Sequence, residues 1–148
     1  MKRLLLALVL WAGVAVVQAQ DLYMVRSEQP FPETMGALQK AIADQGYKLS
    51  RVQRVDIGLT RSGFKTDRYR VVFFGKADEI RQLAARYPDL VAYLPLKIAI
   101  FAEGEQTLML ASSFRHLRTY FDQPELQAHF DRWERDIQAI LQQAFASD

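Results

Sequence analysis

Between Leu126 and Phe145 the chain carries an apolar stripe that only one kind of element can make. Leu126, Phe130, Trp133, Ile137, Ile140 and Ala144 follow one another at spacings of 4, 3, 4, 3 and 4, and Leu141 and Phe145 widen the stripe. Alternating steps of this size return to one side of an α-helix. The pattern therefore predicts a helix of about 22 residues, roughly 33 Å long. Asp122-Gln123-Pro124-Glu125 stands just before it. An aspartate there can accept the free amides of a first turn, and the glutamate can reach back. So wide an apolar face must lie on something. The ordinary expectation is a sheet of its own subunit. The sharper reading is a homodimer seam through Leu126, Phe130, Trp133, Ile137 and Leu141, because the spacing is close to a heptad.

Upstream, short strand-like runs alternate with helical spacing. Leu22 to Glu28, led by Leu22, Met24 and Val25, reads as a first strand. Phe31, Met35, Leu38 and Ile42 then recur at steps of four, three and four, which makes one face of a helix, and Gly46 sits where its C-cap belongs. Tyr47 to Leu59 resumes a two-residue alternation on odd positions, with Val52 out of phase, so a bulge is expected near Arg51–Gln53. Gly58 to Thr66 reads as a hairpin loop. Tyr69 to Phe74 is apolar on both faces except at Arg70, as a central strand covered on both sides would be. After Gly75, Ala77 to Tyr87 reads as a second helix with Ile80, Leu83, Ala84 and Tyr87 inward.

Pro88 and Pro95 bracket an irregular connection. Its Tyr87-to-Pro95 stretch either walls a small apolar pocket or fills the core. Leu96 to Phe101 is a further strand, Glu103-Gly104 a turn, and Thr107 to Ala111 the returning strand. Phe114 to Phe121 reads as a short helical piece. Runs of adjacent strands with helices between them indicate an α+β domain. It has a mostly antiparallel five-stranded sheet packed by helices, in the order β-α-β-β-α-β-β-α, with the long helix last.

Met1 to Ala19 has a different character. Lys2 and Arg3 open it, Leu4 to Val17 is an uncharged run of 14 residues, and Val17-Gln18-Ala19 puts small residues at the positions a signal peptidase reads. This is the layout of a secretory signal peptide, and the run is shorter than the ~20 residues a spanning helix needs. The expected protein is therefore bacterial and periplasmic or secreted, with 20–148 as one domain and no membrane insertion once residues 1–19 are removed. Without Lys2 and Arg3, the 19 Lys and Arg become 17, against 17 Asp and Glu. The net charge of +2 thus belongs to the precursor. A neutral, exported chain is a poor partner for nucleic acid.

Three stretches taken together resemble a known family. They are Phe31-Pro32-Glu33-Thr34 leading to Gly46-Tyr47, then Val72-Phe73-Phe74-Gly75-Lys76, then Tyr93-Leu94-Pro95-Leu96-Lys97-Ile98. Their order and spacing resemble domain-of-unknown-function family 302 over about residues 22–115, with the helical extension 114–146 beyond that core. The resemblance implies a compact α+β domain, often exported and dimeric, with no established activity. Two departures stand out. Where the Phe-Gly turn of many members continues with Asn-Pro, this chain has Lys76-Ala77. Where many carry a histidine in the second strand, it has Arg54-Val55-Asp56, so no role of that histidine transfers.

The chain has no cysteine, so thiolate chemistry, disulfides and a lipidated cysteine are excluded. No P-loop, dinucleotide fingerprint, HExxH helix or nucleophile elbow is present. Of the two histidines, His129 has only Glu125 and Asp131 near it in sequence, which is too few ligands for a stable metal site. No cofactor is implied. Residues 51–70 carry six cations against Asp56 and Asp67, and residues 122–148 carry six acids against Arg132 and Arg135. The basic stretch is a solvated hairpin, a dock for the acidic helix, or an anion site built on Arg61, Lys65 and Arg68. Lys97, in an apolar strand, and Asp56 are the residues an enzyme would use, provided both point into one cavity. The reading that needs least is a non-catalytic module that binds a periplasmic protein or a small ligand.

Expressed from the full sequence in a bacterium, the protein is expected in the periplasmic fraction with an intact mass that starts at Gln20. A cytoplasmic protein that keeps Met1 would overturn the export reading.

Overall fold

The segment from Leu96 to Ser112 folds back on itself at Gly104, whose φ of +65° a side chain would resist, so that Glu103 faces Gln106 across a two-residue loop. This hairpin forms the middle of the molecule. In the computed structural model, which describes residues 21–147, the elements are β1 (Leu22–Ser27), α1 (Phe31–Asp44), β2 (Lys48–Arg54), α2 (Val55–Arg61), β3 (Tyr69–Gly75), α3 (Ala77–Arg86), β4 (Leu96–Glu103), β5 (Gln106–Ser112) and α4 (Pro124–Phe145). Single 3-10 segments occupy Pro88–Tyr93 and Arg115–Leu117. The expected signal peptide lies outside the described residues. The sheet has the order β1-β5-β4-β3-β2, and every neighbouring pair is antiparallel. The α+β class, the five strands and the long last helix are as the sequence indicates.

Register decides which side chains share a face. Val72 lies opposite Ile98, Phe74 opposite Leu96, and Ile100 opposite Met109. These six side chains are buried, and α1 and α4 pack over their side of the sheet and against each other. Leu126, Phe130, Trp133, Ile137 and Leu141 are at most 2% exposed in this same core. The stripe therefore covers its own sheet, and a homodimer seam through those five residues would require α4 to leave it. Phe114 stacks on Phe130 at 5.5 Å between ring centres, and Trp133 closes the cluster at 5.4 Å from Phe114.

Helix ends follow local chemistry. After α1, Gly46 takes φ +77°; its amide bonds Ala43 O at 2.9 Å and the Tyr47 amide bonds Ile42 O at 3.1 Å. That pair of bonds is a Schellman ending, and it needs the left-handed residue that glycine supplies. The same ending recurs at Gly63, φ +87°, with Gly63 N bonded to Thr60 O at 3.0 Å and Phe64 N to Leu59 O at 3.0 Å.

This second ending corrects two expectations. Residues 55–61 form α2, not the continuation of a strand, and the loop begins after it. Val55, Ile57 and Leu59 satisfy a two-residue alternation, but Val55 and Leu59 also stand one helical turn apart, and the capping glycine favours the helix. The irregularity in β2 falls between Leu49 and Arg51, slightly before the expected site. At the start of α4, Asp122 and Glu125 form no capping box. Gln123 is the cap residue and makes no side-chain bond, while Glu125 binds Arg86 and Tyr87 of the neighbouring helix end. The segment read as a short helical piece before it contains only the 3-10 turn Arg115–Leu117.

Phe130→Ala should cost about 3–5 kcal/mol of unfolding free energy in urea titrations, as loss of a fully buried ring does. Arg135→Ala, exposed on the same helix, should stay within about 0.5 kcal/mol. Near-equal effects would contradict the placement of the stripe.

Candidate functional site

The alternation that buries one side of the sheet leaves the other side to be accounted for. Gln53, Val71, Ala99, Leu110 and Met24 lie in one cross-strand row that spans all five strands. On β3, Val71 and Phe73 are only half-buried, and Met24 on the β1 edge is 56% exposed. The expectation of double cover for Tyr69 to Phe74 is thus corrected: one face is in the core and the other is open. Apolar residues occupy the open face, and α2 and α4 reach its concavity through Val55 and Ile137. A concavity of about 490 Å³ lies there. Its floor includes Val71, Phe73, Ala99 and Leu110 with the Tyr69 ring, and its inner end reaches Phe114, Leu117 and Ile137 at the margin of the core.

Two features bound the concavity. At one end, the Tyr69 and Phe101 rings meet edge-on at 5.8 Å, and the Arg26 Nε bond to Glu103 Oε2 at 2.8 Å lies outside the lining. At the other, Tyr93 and His116 meet at 6.5 Å between ring centres. His116 rides on the 3-10 turn, which α4 holds in place. The Phe114 amide donates to Glu134 Oε1 at 2.8 Å, and Arg118 reaches Glu134 and Asp131 at 3.1 and 2.8 Å. Tyr93 comes from the Tyr87–Pro95 segment, which serves both of its expected roles: Tyr93 lines the concavity and Leu90 is buried in the core.

The ionisable lining is one-sided. Lys97 and His116 line the concavity, and no aspartate or glutamate does. Lys97 is exposed and has no ion-pair or hydrogen-bond partner among the described residues. Asp56 is elsewhere. It accepts from Arg70, and both side chains are largely covered, at 16% and 14% exposure. The hydrogen bond from Arg70 holds the Asp56 carboxyl below the usual carboxylate range. Asp56 lines a separate depression with Ile57, Thr60 and Arg61, so it and Lys97 do not share the cavity an enzyme would need.

The basic hairpin is also divided. Arg61 lines the depression beside Asp56, Arg68 lines another with Tyr69 and Phe101 and lies over the Phe31 ring at 5.2 Å, and Lys65 stands exposed in the loop between them. The acids of α4 pair with Arg86, Arg118 and Arg132, and no ion pair among the described residues joins α4 to residues 51–70. No group of three metal-ligating side chains occurs among the described residues. No helix there is long and apolar enough to cross a membrane.

Comparison with known proteins adds a family. The family model described as "Domain of unknown function DUF302" matches residues 23–144. The chain belongs to this family. A solved DUF302 structure, titled as an uncharacterized conserved protein from Bacillus stearothermophilus, superposes with a TM-score of 0.75. It is 17% identical, and the match covers 85% of this chain and 99% of that one. At that identity the likeness shows the fold. No curated protein matches the chain. The DUF302 match runs to residue 144, and so takes in α4, past the residue 115 at which the resemblance ended. Two of the resembling motifs also share a physical cause. A Cβ on Gly75 would collide with Ile80 Cδ1 and touch Pro95 Cβ at 3.6 Å, so the Phe-Gly and Leu-Pro motifs meet in one contact.

Behind the core, a polar network ties this DUF302 protein's helices together. Tyr47, the residue after the α1 glycine, donates to Asp136 and accepts from Arg132 Nη1 at 3.1 Å. Arg132 also pairs with Glu79 of α3, to which Trp133 Nε1 donates at 3.3 Å, and His129 Nδ1 lies 3.2 Å from the same carboxylate. Burial, and then the Asp136 hydrogen bond, push the Tyr47 phenol well above its ordinary value. The folded chain therefore holds that proton more tightly than the unfolded chain. The resulting stabilisation is complete below the ordinary tyrosine pKa of about 10 and is lost as pH rises through the raised folded value. Tyr47→Phe should lower stability by about 1 kcal/mol near neutral pH. The gap to wild type should narrow above about pH 10 in denaturant titrations. A gap constant with pH would contradict this role for the hydroxyl.

Proposed function

We propose that this protein is an exported, non-catalytic binding module that holds a small apolar ligand on the open face of its sheet. One observation carries the reading: an unroofed apolar concavity of about 490 Å³ in which Val71, Ala99 and Leu110 share a cross-strand row. Its size falls within the ~300–1,000 Å³ typical of small-molecule sites, and its lining is mostly apolar with a few polar groups at the rim, as such sites are. The signal-like segment before residue 20 supports export. The commitment of Asp56 to Arg70, away from Lys97, supports binding over catalysis. The alternative anion site at Arg61, Lys65 and Arg68 has less support, because Arg61 and Arg68 line different depressions.

The test fills the concavity. 2-Naphthylmethanol, an uncharged apolar probe, should shift the methyl resonances of Ala99 and Leu110 in NMR titrations. Ala99→Trp should weaken its binding at least tenfold, since excluding on the order of 100 Å² of apolar contact removes about 2.5 kcal/mol. A probe that leaves those methyls unmoved, or that binds the filled variant as well, would remove the reading.

A further inference from the structure

Resting on the site just proposed, we infer that its ligand class is a flat aromatic carboxylate, with Lys97 and Arg51 reading the charged end. The argument begins with register. Phe73 on β3 lies opposite Arg51 on β2 and opposite Lys97 on β4. Partners in register point to the same side of a sheet, so this row runs cation, ring, cation across three strands of the open face. Adjacent strands are about 4.8 Å apart, so the two cationic residues stand about 10 Å apart at the backbone, with the ring between them. Lys97 lines the concavity, and Arg51 stands just outside the lining with a side chain long enough to reach over Phe73.

The charge pattern then favours an anion. Arg51 and Lys97 are both exposed, and neither has an ion-pair or hydrogen-bond partner among the described residues. Glu103, on the outward side of β4, is bonded to Arg26. The concavity is lined by a lysine and a histidine and by no carboxylate. A cationic ligand would meet like charges, whereas an anion gains from both cations. An anion whose apolar body rests on the Val71–Ala99–Leu110 row brings its charge to the adjacent Arg51–Phe73–Lys97 row. Tyr69, Phe73 and Tyr93 supply aromatic surface on the floor and wall, which favours a planar ring system. The chemistry is thus complementary at both ends: ring surface for the body, two unpartnered cations for the carboxylate.

The test compares 2-naphthoate with 2-naphthylmethanol, matched in body and different in charge, by isothermal titration at low and high salt. The expected result is that naphthoate binds about tenfold or more tightly at low salt, in line with hydrogen bonds to a charged group, and that salt erodes the preference. Lys97→Met with Arg51→Met should abolish the preference, read as the ratio of the two affinities, with the fold of the double variant checked by its amide NMR spectrum; both positions are exposed. Equal binding of the two probes, with no effect of the double variant, would overturn the carboxylate inference and leave the open-face site standing. Failure of both probes to bind would overturn the site itself. A concentration-dependent dimer whose NMR shifts fall on Tyr69, Phe73 and Ala99 would overturn the inference in favour of a second copy of the chain as the occupant.

Discussion

Phe130, Trp133, Ile137 and Leu141 bring a 22-residue helix down onto one side of a five-stranded sheet, and most other placements follow from that seating. The aromatic stack of Phe114 on Phe130 draws the chain after β5 back under α4. Glu134 then caps the Phe114 amide and holds Arg118, so the 3-10 turn has little choice of position. On the other flank, Arg132 collects Glu79 from α3 and Tyr47 from the end of α1. Apolar burial supplies the drive, and the polar network on the same helix fixes the angle at which α1 and α3 meet it.

A helix layer on one side leaves the sheet with two different surfaces made from the same strands. β4 alternates buried and partly exposed side chains along its whole length, with Leu96, Ile98 and Ile100 inward and Lys97, Ala99 and Phe101 outward. A chain of this size has a limited number of helices to spend on cover, and α1 and α4 are both used on the inner face. The outer face keeps apolar residues where solvent-facing strands usually carry polar ones. That departure from the usual alternation is the strongest sign of a working surface in the molecule.

Periodic signals made the fold legible. Steps of three and four marked α1 and α4, glycine marked both Schellman endings, and the Glu103-Gly104 turn marked the central hairpin. The failures came where one pattern fits two structures. Val55, Ile57 and Leu59 suit a strand or a single helical turn, and the capping bonds around Gly63, which involve residues on both sides, settle it. Val71 and Phe73 look the same in sequence whether a helix covers them or nothing does. The open site was hidden for that reason, although Lys97 stood out within it as a charge in an apolar run. Arg51 is indistinguishable in sequence from the other cations of its stretch, because its partnership with Phe73 exists only across strands.

β2 forms one border of the sheet and leaves a row of backbone amides and carbonyls facing outward. Its seven residues include Lys48, Arg51 and Arg54, all exposed, and an extra residue between Leu49 and Arg51 breaks its regular pleat. Two such borders brought together would set like charges against each other along a strand that cannot keep register, which is how natural sheets avoid growing sideways into aggregates. A chain that must fold amid many copies of itself gains from such a fence. It also means that association of two copies through this border is disfavoured.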